Sequence, residues 1–292
     1  MYKLKENPED FIVIERSNVE IKDDGEFTYF VLKKKNYNTS DAIQRIADTL
    51  RYNSKDIGFA GNKDRRAITE QLCSIKNISK EKLESLKLKD IDILVKGYGD
   101  ESINLGMLEG NYFIINIKDI NFKPKPITKF INYYGPQRFG DDNIEIGRSI
   151  IKKDFKNLEK FNLSVNKINQ SRRLSRIYIH AYQSYLWNKS VERLISKGIE
   201  VDEVPIVGFG TEFKNDSVEE VCKEVLKEEG IKKRDFIIRQ CPDLSAEGDV
   251  RKVYCDVSEL EISELENNQV TVKFFLPKGC YATVFIEQLL SS

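Results

Sequence analysis

One aspartate stands inside a basic segment whose residue types could do chemistry. Residues 58–71 read GFAGNKDRRAITEQ, with Asp64 between Lys63 on one side and Arg65 and Arg66 on the other. Neighbouring cations favour the ionised form of a carboxylate, and such an anion could attack an electrophilic carbon or orient a basic partner. The alternative is a turn aspartate held in surface ion pairs, and the residue types alone leave both interpretations open.

Two familiar kinds of cofactor site are missing from the sequence. Gly58 and Gly61 are too close together for a Gly-x-x-x-x-Gly-Lys-Ser/Thr phosphate loop, and Asp64 stands where that loop has a hydroxyl residue. The 5 cysteines never lie two residues apart and His180 is the single histidine, so zinc-binding spacing is absent. We therefore expect no metal, no nucleotide cofactor and reduced cysteines.

The start of the sequence and its hydropathy are typical of a cytoplasmic protein. The first residues, MYKLKENP, include an acid and a proline where a signal peptide needs an uninterrupted apolar core. No later stretch approaches the ~18 consecutive apolar residues of a membrane span. We expect neither a signal peptide nor a membrane-spanning helix.

The charges of the chain balance, but the balance conceals opposed regions. Of the 292 residues, 47 are Lys or Arg and 47 are Asp or Glu, which argues against a polybasic tail but not against a local basic groove. Residues 121–140 contain 4 cations and no acid, residues 167–198 contain 7 cations and 1 acid, and residues 200–229 contain 3 cations and 10 acids. We expect one positive cleft and negative outer surfaces.

The hydrophobic pattern predicts a mixed α and β chain. Alternating or buried apolar runs predict strands near 9–16, 26–33, 57–61, 67–75, 91–97, 111–118, 250–257, 259–266 and 269–276. Capping residues and helical spacing predict helices near 40–52, 80–88, 127–133, 171–197 and 216–229. Asp64 then lies in the turn between two strands.

The long helix near 171–197 has two contrasting stripes. One stripe holds Arg172, Arg176, His180, Gln183 and Trp187, and the other holds Leu174, Ile177, Ala181 and Tyr185. We expect the second stripe to be core. The first stripe suits a surface that follows phosphates and stacks on bases, and the alternative is a solvated face whose tryptophan packs on a neighbouring element.

Seven segments of the sequence together resemble one known family, the TruD family of RNA pseudouridine synthases. The two long motifs are residues 58–71 and residues 132–140, NYYGPQRFG. Weaker matches follow the family's order at residues 5–11, 110–113, 181–188, 247–251 and 281–283. The resemblance covers nearly the whole chain.

The resemblance implies an α+β fold with two domains. A pseudouridine-synthase catalytic domain, with a mixed and mostly antiparallel sheet flanked by helices, would comprise residues 1–140 and 250–292. An inserted α/β TRUD domain would comprise residues 141–249. An RNA cleft is expected between them, and the cations predicted to bind RNA are Lys63, Arg65, Arg66, Lys123, Lys125, Arg138, Arg172, Arg173 and Arg176.

The resemblance also implies the chemistry. A uridine already in RNA would lose its N-glycosidic bond, the uracil would turn, and C5 would be joined to C1′, without a cofactor. Asp64 matches the family's essential aspartate, and nucleophilic attack and proton abstraction from the ribose stay open as its role. Phe113 matches an aromatic that stacks on the flipped uracil, Asn111 could hold Asp64 or the base edge, and Lys5 and Phe11 match pocket residues.

The expected substrate is tRNA, most often the uridine at position 13 of the D arm, and the expected state is a monomer. Two other functions stay open on the sequence alone. A non-catalytic RNA-binding or RNA-folding factor could use the same fold without needing Asp64. A hydrolase of the glycosidic bond would use the same carboxylate but release free uracil.

Overall fold

The computed structural model describes residues 2–291, so residues 1 and 292 of the predicted catalytic domain lie outside the described residues. The chain divides into two compact units. The sheet unit comprises Met1–Phe130, Asp256–Ala282 and Ile286–Ser292, and the helical unit comprises Ile131–Cys255 and Thr283–Phe285. The predicted domain boundaries at 140 and 250 thus differ from this division at 130 and 255. No helix in the described part of the chain is both long and apolar enough for a membrane crossing.

The strands and helices are numbered in chain order. The strands are β1 (Phe11–Arg16), β2 (Phe27–Lys35), β3 (Ile57–Phe59), β4 (Ile68–Lys76), β5 (Ile91–Gly99), β6 (Gly110–Lys118), β7 (Lys129–Ile131), β8 (Glu203–Ile206), β9 (Asp249–Lys252), β10 (Tyr254–Asp256), β11 (Ser258–Ile262) and β12 (Gln269–Pro277). The α-helices are α1 (Thr39–Leu50), α2 (Lys80–Glu84), α3 (Pro136–Phe139), α4 (Asn143–Lys152), α5 (Phe155–Leu158), α6 (Val165–Gln170), α7 (Arg172–Ser196), α8 (Asp216–Glu228) and α9 (Ala282–Ser291).

The sheet unit is built on one 8-stranded sheet in the order β11-β12-β6-β1-β4-β2-β5, with β3 paired to β4. β1 and β4 run parallel, and the other pairs of this sheet are antiparallel. The predicted mixed, mostly antiparallel sheet is therefore confirmed. β12 shows why these segments form strands: Val270, Val272, Phe274 and Leu276 alternate with more exposed residues and are all buried.

Helix α1 packs against this sheet through one apolar stripe. Ala42, Ile43, Ile46, Ala47 and Leu50 recur at helical spacing and are buried in a cluster with strand residues. The helix ends where Arg51 adopts a left-handed backbone conformation with φ 59°. This packing places the residues before α1 and the first residue of α1 beside the chain that leads from β3 to β4.

The helical unit has its own core around α7. Ser175, Ile179, Tyr182 and Leu186 follow the spacing of one helical face and are buried. Trp187 is 1% exposed, and its indole Nε1 donates a hydrogen bond to the Val204 carbonyl oxygen at 3.0 Å. The middle of α7 is therefore enclosed by protein.

Two predicted elements are wrong. The segment near 127–133 was expected to be a helix, but it contains β7, which pairs with β10. Pairing with a strand more than a hundred residues later outweighs local helical preference. The last residues were expected to add only strands, but Ala282–Ser291 form α9. The apolar residues Ala282, Phe285, Ile286 and Leu289 recur there at helical spacing.

Candidate active site

The segment that carries Asp64 connects β3 to β4 and is held by buried side chains. The Thr39 hydroxyl accepts a hydrogen bond from the Lys63 backbone N–H at 2.9 Å and donates one to Gln71 Oε1 at 2.9 Å. Gln71 Nε2 then donates to the Gly61 carbonyl oxygen at 2.9 Å. Gln71 is the last residue of the 58–71 motif, so the motif contains one of the side chains that fix its own turn.

A buried lysine holds the same segment from another side. The Lys34 ammonium donates to the carbonyl oxygens of Tyr37 at 2.6 Å, Asp64 at 3.1 Å and Lys63 at 3.5 Å. Lys34 is 1% exposed. Burial lowers its pKa from 10.5 to about 8, although the Asp64 carboxylate acts in the opposite direction.

Lys63 pairs with Glu15, and both side chains are buried. Lys63 Nζ contacts Glu15 Oε2, and the side chains of Lys63 and Glu15 are 6% and 0% exposed. The other carboxylate oxygen, Glu15 Oε1, accepts from the Leu72 backbone N–H at 3.2 Å. Lys63 was expected to contact RNA, but the structure places it in the interior, where its charge is satisfied by Glu15. The pair attaches the residue before Asp64 to β1.

The Asp64 carboxylate itself is accessible. Its side chain is 36% exposed, and its Oδ2 accepts a hydrogen bond from Lys5 Nζ at 2.5 Å. Lys5 Nζ also lies 3.9 Å from the centre of the Phe11 ring. Lys5 has a backbone φ of 58°, which is uncommon for a residue with a side chain. The Lys5 ammonium is therefore held against the Asp64 carboxylate, part of which stays accessible to solvent.

Phe113 lies on the face of the sheet that also carries Phe11. Val13 of β1 is directly opposite Phe113 of β6, and such pairs point to the same face. The Phe113 ring stacks on Phe274 with centres 5.3 Å apart and meets Phe11 edge-on at 6.1 Å. Phe113 is 7% exposed. Contacts thus run in series from Asp64 through Lys5 and Phe11 to Phe113.

Asn111 occupies the next position of β6 on that face. It is directly opposite Glu15, whose carboxylate holds Lys63. Asn111 Oδ1 is buried and accepts no hydrogen bond from the residues described. Leaving a buried acceptor unsatisfied costs about 1–3 kcal/mol, so such an atom is suited to a ligand that brings a donor.

The remaining predicted cations of the sheet unit are at its surface. Arg65 and Arg66 are exposed beside Asp64, and Lys125 is also exposed. Lys123 makes a surface ion pair with Glu264 at 2.6 Å. Exposed pairs of this kind contribute little to stability, so Lys123 can exchange its partner at low cost.

The other predicted cations belong to the helical unit. Arg172 and Arg173 are exposed, and Arg172 pairs with Asp243 at 2.6 Å. Arg176 is exposed and donates from Nη2 to the Asp243 carbonyl oxygen at 3.2 Å. Arg138 is partly buried and donates from Nε to the Ser184 hydroxyl at 3.1 Å.

The two expected stripes of α7 are corrected by the structure. Leu174 and Ile177, expected in the core, are 45% and 41% exposed. Gln183 and Trp187, expected on an RNA-binding stripe, are buried, so packing of the tryptophan on a neighbouring element is confirmed. The N-terminal part of α7 has few packed neighbours, and its apolar residues therefore stay in solvent.

Sequence reasoning missed three residues that hold the Asp64 segment, namely Lys34, Glu15 and Thr39. Lys34 was detectable in principle, because strand alternation places it on the same face as Phe30 and Leu32, which are 0% exposed. Glu15 and Thr39 gave no such signal. Among the described residues, no group of three or more His, Cys, Asp or Glu side chains is arranged to hold a metal ion.

The fold and the site define an α+β protein with an accessible carboxylate beside an aromatic-bearing sheet face. The family model for tRNA pseudouridine synthase D (TruD) matches residues 2–170 and 203–289. The chain therefore belongs to the TruD family.

Relatives match along almost their whole length. A protein named "Probable tRNA pseudouridine synthase D" from Methanopyrus kandleri is 28% identical over 92% of this chain and 86% of the relative. The tRNA pseudouridine synthase D of Aquifex aeolicus is 26% identical over 99% and 98%. A crystal structure of a TruD-named protein from Methanosarcina mazei, 24% identical, has a TM-score of 0.76 and covers 99% of this chain and 93% of that chain, which shows the shared fold.

Proposed function

We propose that this chain is a tRNA pseudouridine synthase in which Asp64 is the catalytic carboxylate. Membership of the TruD family and relatives that carry this activity in their names support the reaction. The observation that supports the role of Asp64 is its geometry. The carboxylate is accessible, Lys5 contacts it, and buried side chains hold the backbone on both sides of it.

The reaction breaks the bond from N1 of uracil to C1′ and forms a bond from C5 to C1′, so no atom is gained or lost. Asp64 acts either as a nucleophile or as the base that removes a ribose proton. Lys5 donates a hydrogen bond to the carboxylate and fixes its direction. Because Lys34, Thr39 and Lys63 anchor the backbone, the carboxylate reaches its target without reorganisation of the turn.

Asn111 and Phe113 are proposed to hold the uracil. The unsatisfied Asn111 Oδ1 matches the N3–H donor of uracil. Phe113 would stack on the flipped base while its bond to the sugar is broken, and Phe274 supports the ring from behind. Phe11 positions the Lys5 ammonium through a cation–π contact.

The RNA contacts are proposed from the exposed cations and from the partly buried Arg138. Arg65 and Arg66, which follow Asp64 in the chain, suit the phosphates next to the target uridine. Lys125, and Lys123 once Glu264 is displaced, suit other phosphates of the RNA. Arg138, Arg172, Arg173 and Arg176 suit phosphates further along the RNA. Uridine 13 of the D arm is the proposed target, and the helical unit is proposed to be the inserted domain of the family.

A single chain is proposed to suffice for activity, since the proposed site residues all belong to one sheet unit, namely Asp64, Lys5, Phe11, Asn111 and Phe113.

The reaction is tested on a tRNA transcript, which is incubated with the protein, treated with carbodiimide to mark pseudouridine, and read by primer extension. New stops are expected with the wild-type chain.

The test of Asp64 is its replacement by asparagine. Asp64→Asn should lower conversion by about 10³-fold or more, since the group that does the chemistry is lost, while tRNA binding changes by less than about threefold. Asp56→Asn is the matched control, because Asp56 is an exposed aspartate on the same stretch of chain, before β3. Conversion by Asp64→Asn at the wild-type rate would refute the role of Asp64. Release of free uracil would identify a hydrolase, and an RNA-folding effect that survives the substitution would identify a binding factor.

A further inference from the structure

The helical unit contains two cavities that share lining residues. The larger, of about 470 Å³, and the smaller, of about 190 Å³, are both lined by His180 and Glu247. We call the two together the His180 groove. Three sequence motifs meet at the smaller cavity, and the chemistry proposed for Asp64 uses none of them. They contribute Tyr134, Arg138, Gln183, Ser184, Glu247 and Asp249.

Two arginines of the His180 groove are held by neutral groups. Arg138 Nε donates to the Ser184 hydroxyl at 3.1 Å, and that hydroxyl donates to the His180 carbonyl oxygen at 2.7 Å. Arg176 Nη2 donates to the backbone carbonyl oxygen of Asp243 at 3.2 Å. Within residues 2–291, neither arginine forms a salt bridge with a carboxylate. The groove therefore holds two fixed positive charges that no side chain neutralises directly.

The two arginines and partial burial change the pKa of the His180 imidazole. Partial burial lowers the pKa of His180 below 6.5, and the charges of Arg138 and Arg176 lower it further. The acidic residues that line the groove, Asp243, Glu247 and Asp249, do not reverse that direction. An anion placed among the three nitrogen-bearing groups would relieve the repulsion and favour the imidazolium form.

The carboxylates of Glu247 and Asp249 select the kind of anion. Both residues are exposed and line the smaller cavity, so they would repel a free phosphate ion that entered there. A ribonucleotide differs, because it offers hydroxyl and amino donors beside its phosphate, and carboxylates accept such donors. The mixed charge of the groove thus fits a nucleotide better than a simple anion.

We propose that the His180 groove binds one nucleotide of the RNA substrate, with its phosphate at Arg138, Arg176 and His180 and its hydroxyl or amino donors at Glu247 and Asp249. The identity of the ligand as RNA rests on the proposed function. The role proposed for the groove is binding, and the chemistry is assigned to Asp64 of the sheet unit. His180 becomes a phosphate contact whose protonation is coupled to RNA binding.

The single histidine makes the test direct. The full chain, labelled only at histidine, gives one imidazole signal by NMR, and its pKa is measured without RNA and with an unmodified tRNA transcript. The His180 pKa is expected to rise by about one unit on binding, equivalent to tenfold tighter binding to the imidazolium form. Full occupancy by tRNA with an unchanged pKa would overturn the proposal.

Further probes separate the sources of the effect. A ten-nucleotide single-stranded RNA should raise the His180 pKa, and inorganic phosphate at equal phosphate concentration should not. An equal effect of inorganic phosphate would overturn the nucleotide assignment, because it would show a plain anion site. Asp64→Asn should give the same rise as wild type. A rise on tRNA binding by a wild-type chain that forms no pseudouridine would support the groove and refute the proposed function, so the two can fail separately.

Binding measurements provide a second readout. Arg138→Gln and His180→Gln should each weaken tRNA binding by about 5- to 10-fold. Arg138→Gln should also lower the salt dependence of tRNA binding by about one released counterion. Lys197→Gln is the control, since Lys197 lies just beyond the far end of α7 and pairs with Glu224. His180 lines the groove and keeps part of its surface in solvent, so its substitution should leave the thermal midpoint near wild type. Losses no larger than those of the Lys197 control would contradict the groove.

Discussion

Replacing the buried lysine behind Asp64 should separate activity from stability. Lys34→Met keeps a long unbranched side chain but removes the ammonium that donates to the carbonyls of Tyr37 and Asp64. Each such bond from a charged donor is worth about 1.5–3 kcal/mol. Removing a buried charge offsets much of that loss, so the free energy of unfolding at pH 7.5 should change by less than about 2 kcal/mol.

The pH dependence carries a definite sign. The pKa of Lys34 is about 8 in the folded chain and 10.5 in the reference state, so the unfolded chain binds more protons between these values. Stability from this group therefore rises with pH across that window. The pKa shift limits this gain in the free energy of unfolding to about 3 kcal/mol. Water near the partly exposed Asp64 screens the charges and reduces the expected gain to about 1–2 kcal/mol. Lys34→Met should lack this rise.

Urea unfolding at pH 7.5 and 9.5, compared between wild type and variant, isolates the contribution of Lys34. Lys33→Met is the matched control, because Lys33 is exposed and pairs with Glu70 at the surface. In the carbodiimide assay, Lys34→Met should lower kcat by about 10- to 100-fold with little change in KM, since the carboxylate is misplaced but RNA contacts remain. An unchanged kcat, or a pH dependence equal to that of wild type, would refute this reasoning.

Two other changes address the support of the site and the base pocket. Glu15→Gln leaves the Lys63 ammonium buried without its counter-charge, so the free energy of unfolding should fall by about 3–5 kcal/mol in urea titrations, and the double change Glu15→Leu, Lys63→Met should recover much of it. A single variant as stable as wild type would contradict the buried pair. Asn111→Leu removes an unsatisfied buried acceptor, so the thermal midpoint should hold or rise while conversion falls by at least about tenfold. Parallel loss of folding and activity would instead indicate a structural role for Asn111.

The sheet was predictable from the sequence because alternation is a local signal. β2, β4, β6 and β12 lie within a few residues of their predicted ranges. β7 was not predictable from the sequence, because its three residues form a strand only by pairing with β10, far along the chain. The stripes of α7 failed for a related reason, since which face is buried depends on neighbours that periodicity does not reveal.

The site was predictable in part. The motif resemblance brought Asp64, Lys5 and Phe11 together, and the structure places these three in contact. Lys63 was predicted to bind RNA, but it is buried against a partner, Glu15, that lies 48 residues earlier. Spacing in the sequence carries no information about such a pair.

The face that holds Phe113 has a consequence for the order of folding. β6 takes one neighbour from the start of the chain, β1, and the other from near its end, β12. The helical unit is encoded almost entirely between these partners and can form from contacts closer in sequence. During synthesis, one edge of β6 therefore stays unpaired until β12 has left the ribosome. An unpaired strand edge favours aggregation, so the chain is most prone to aggregate during this interval. The aromatic pair that backs the base pocket is among the last native contacts that can form.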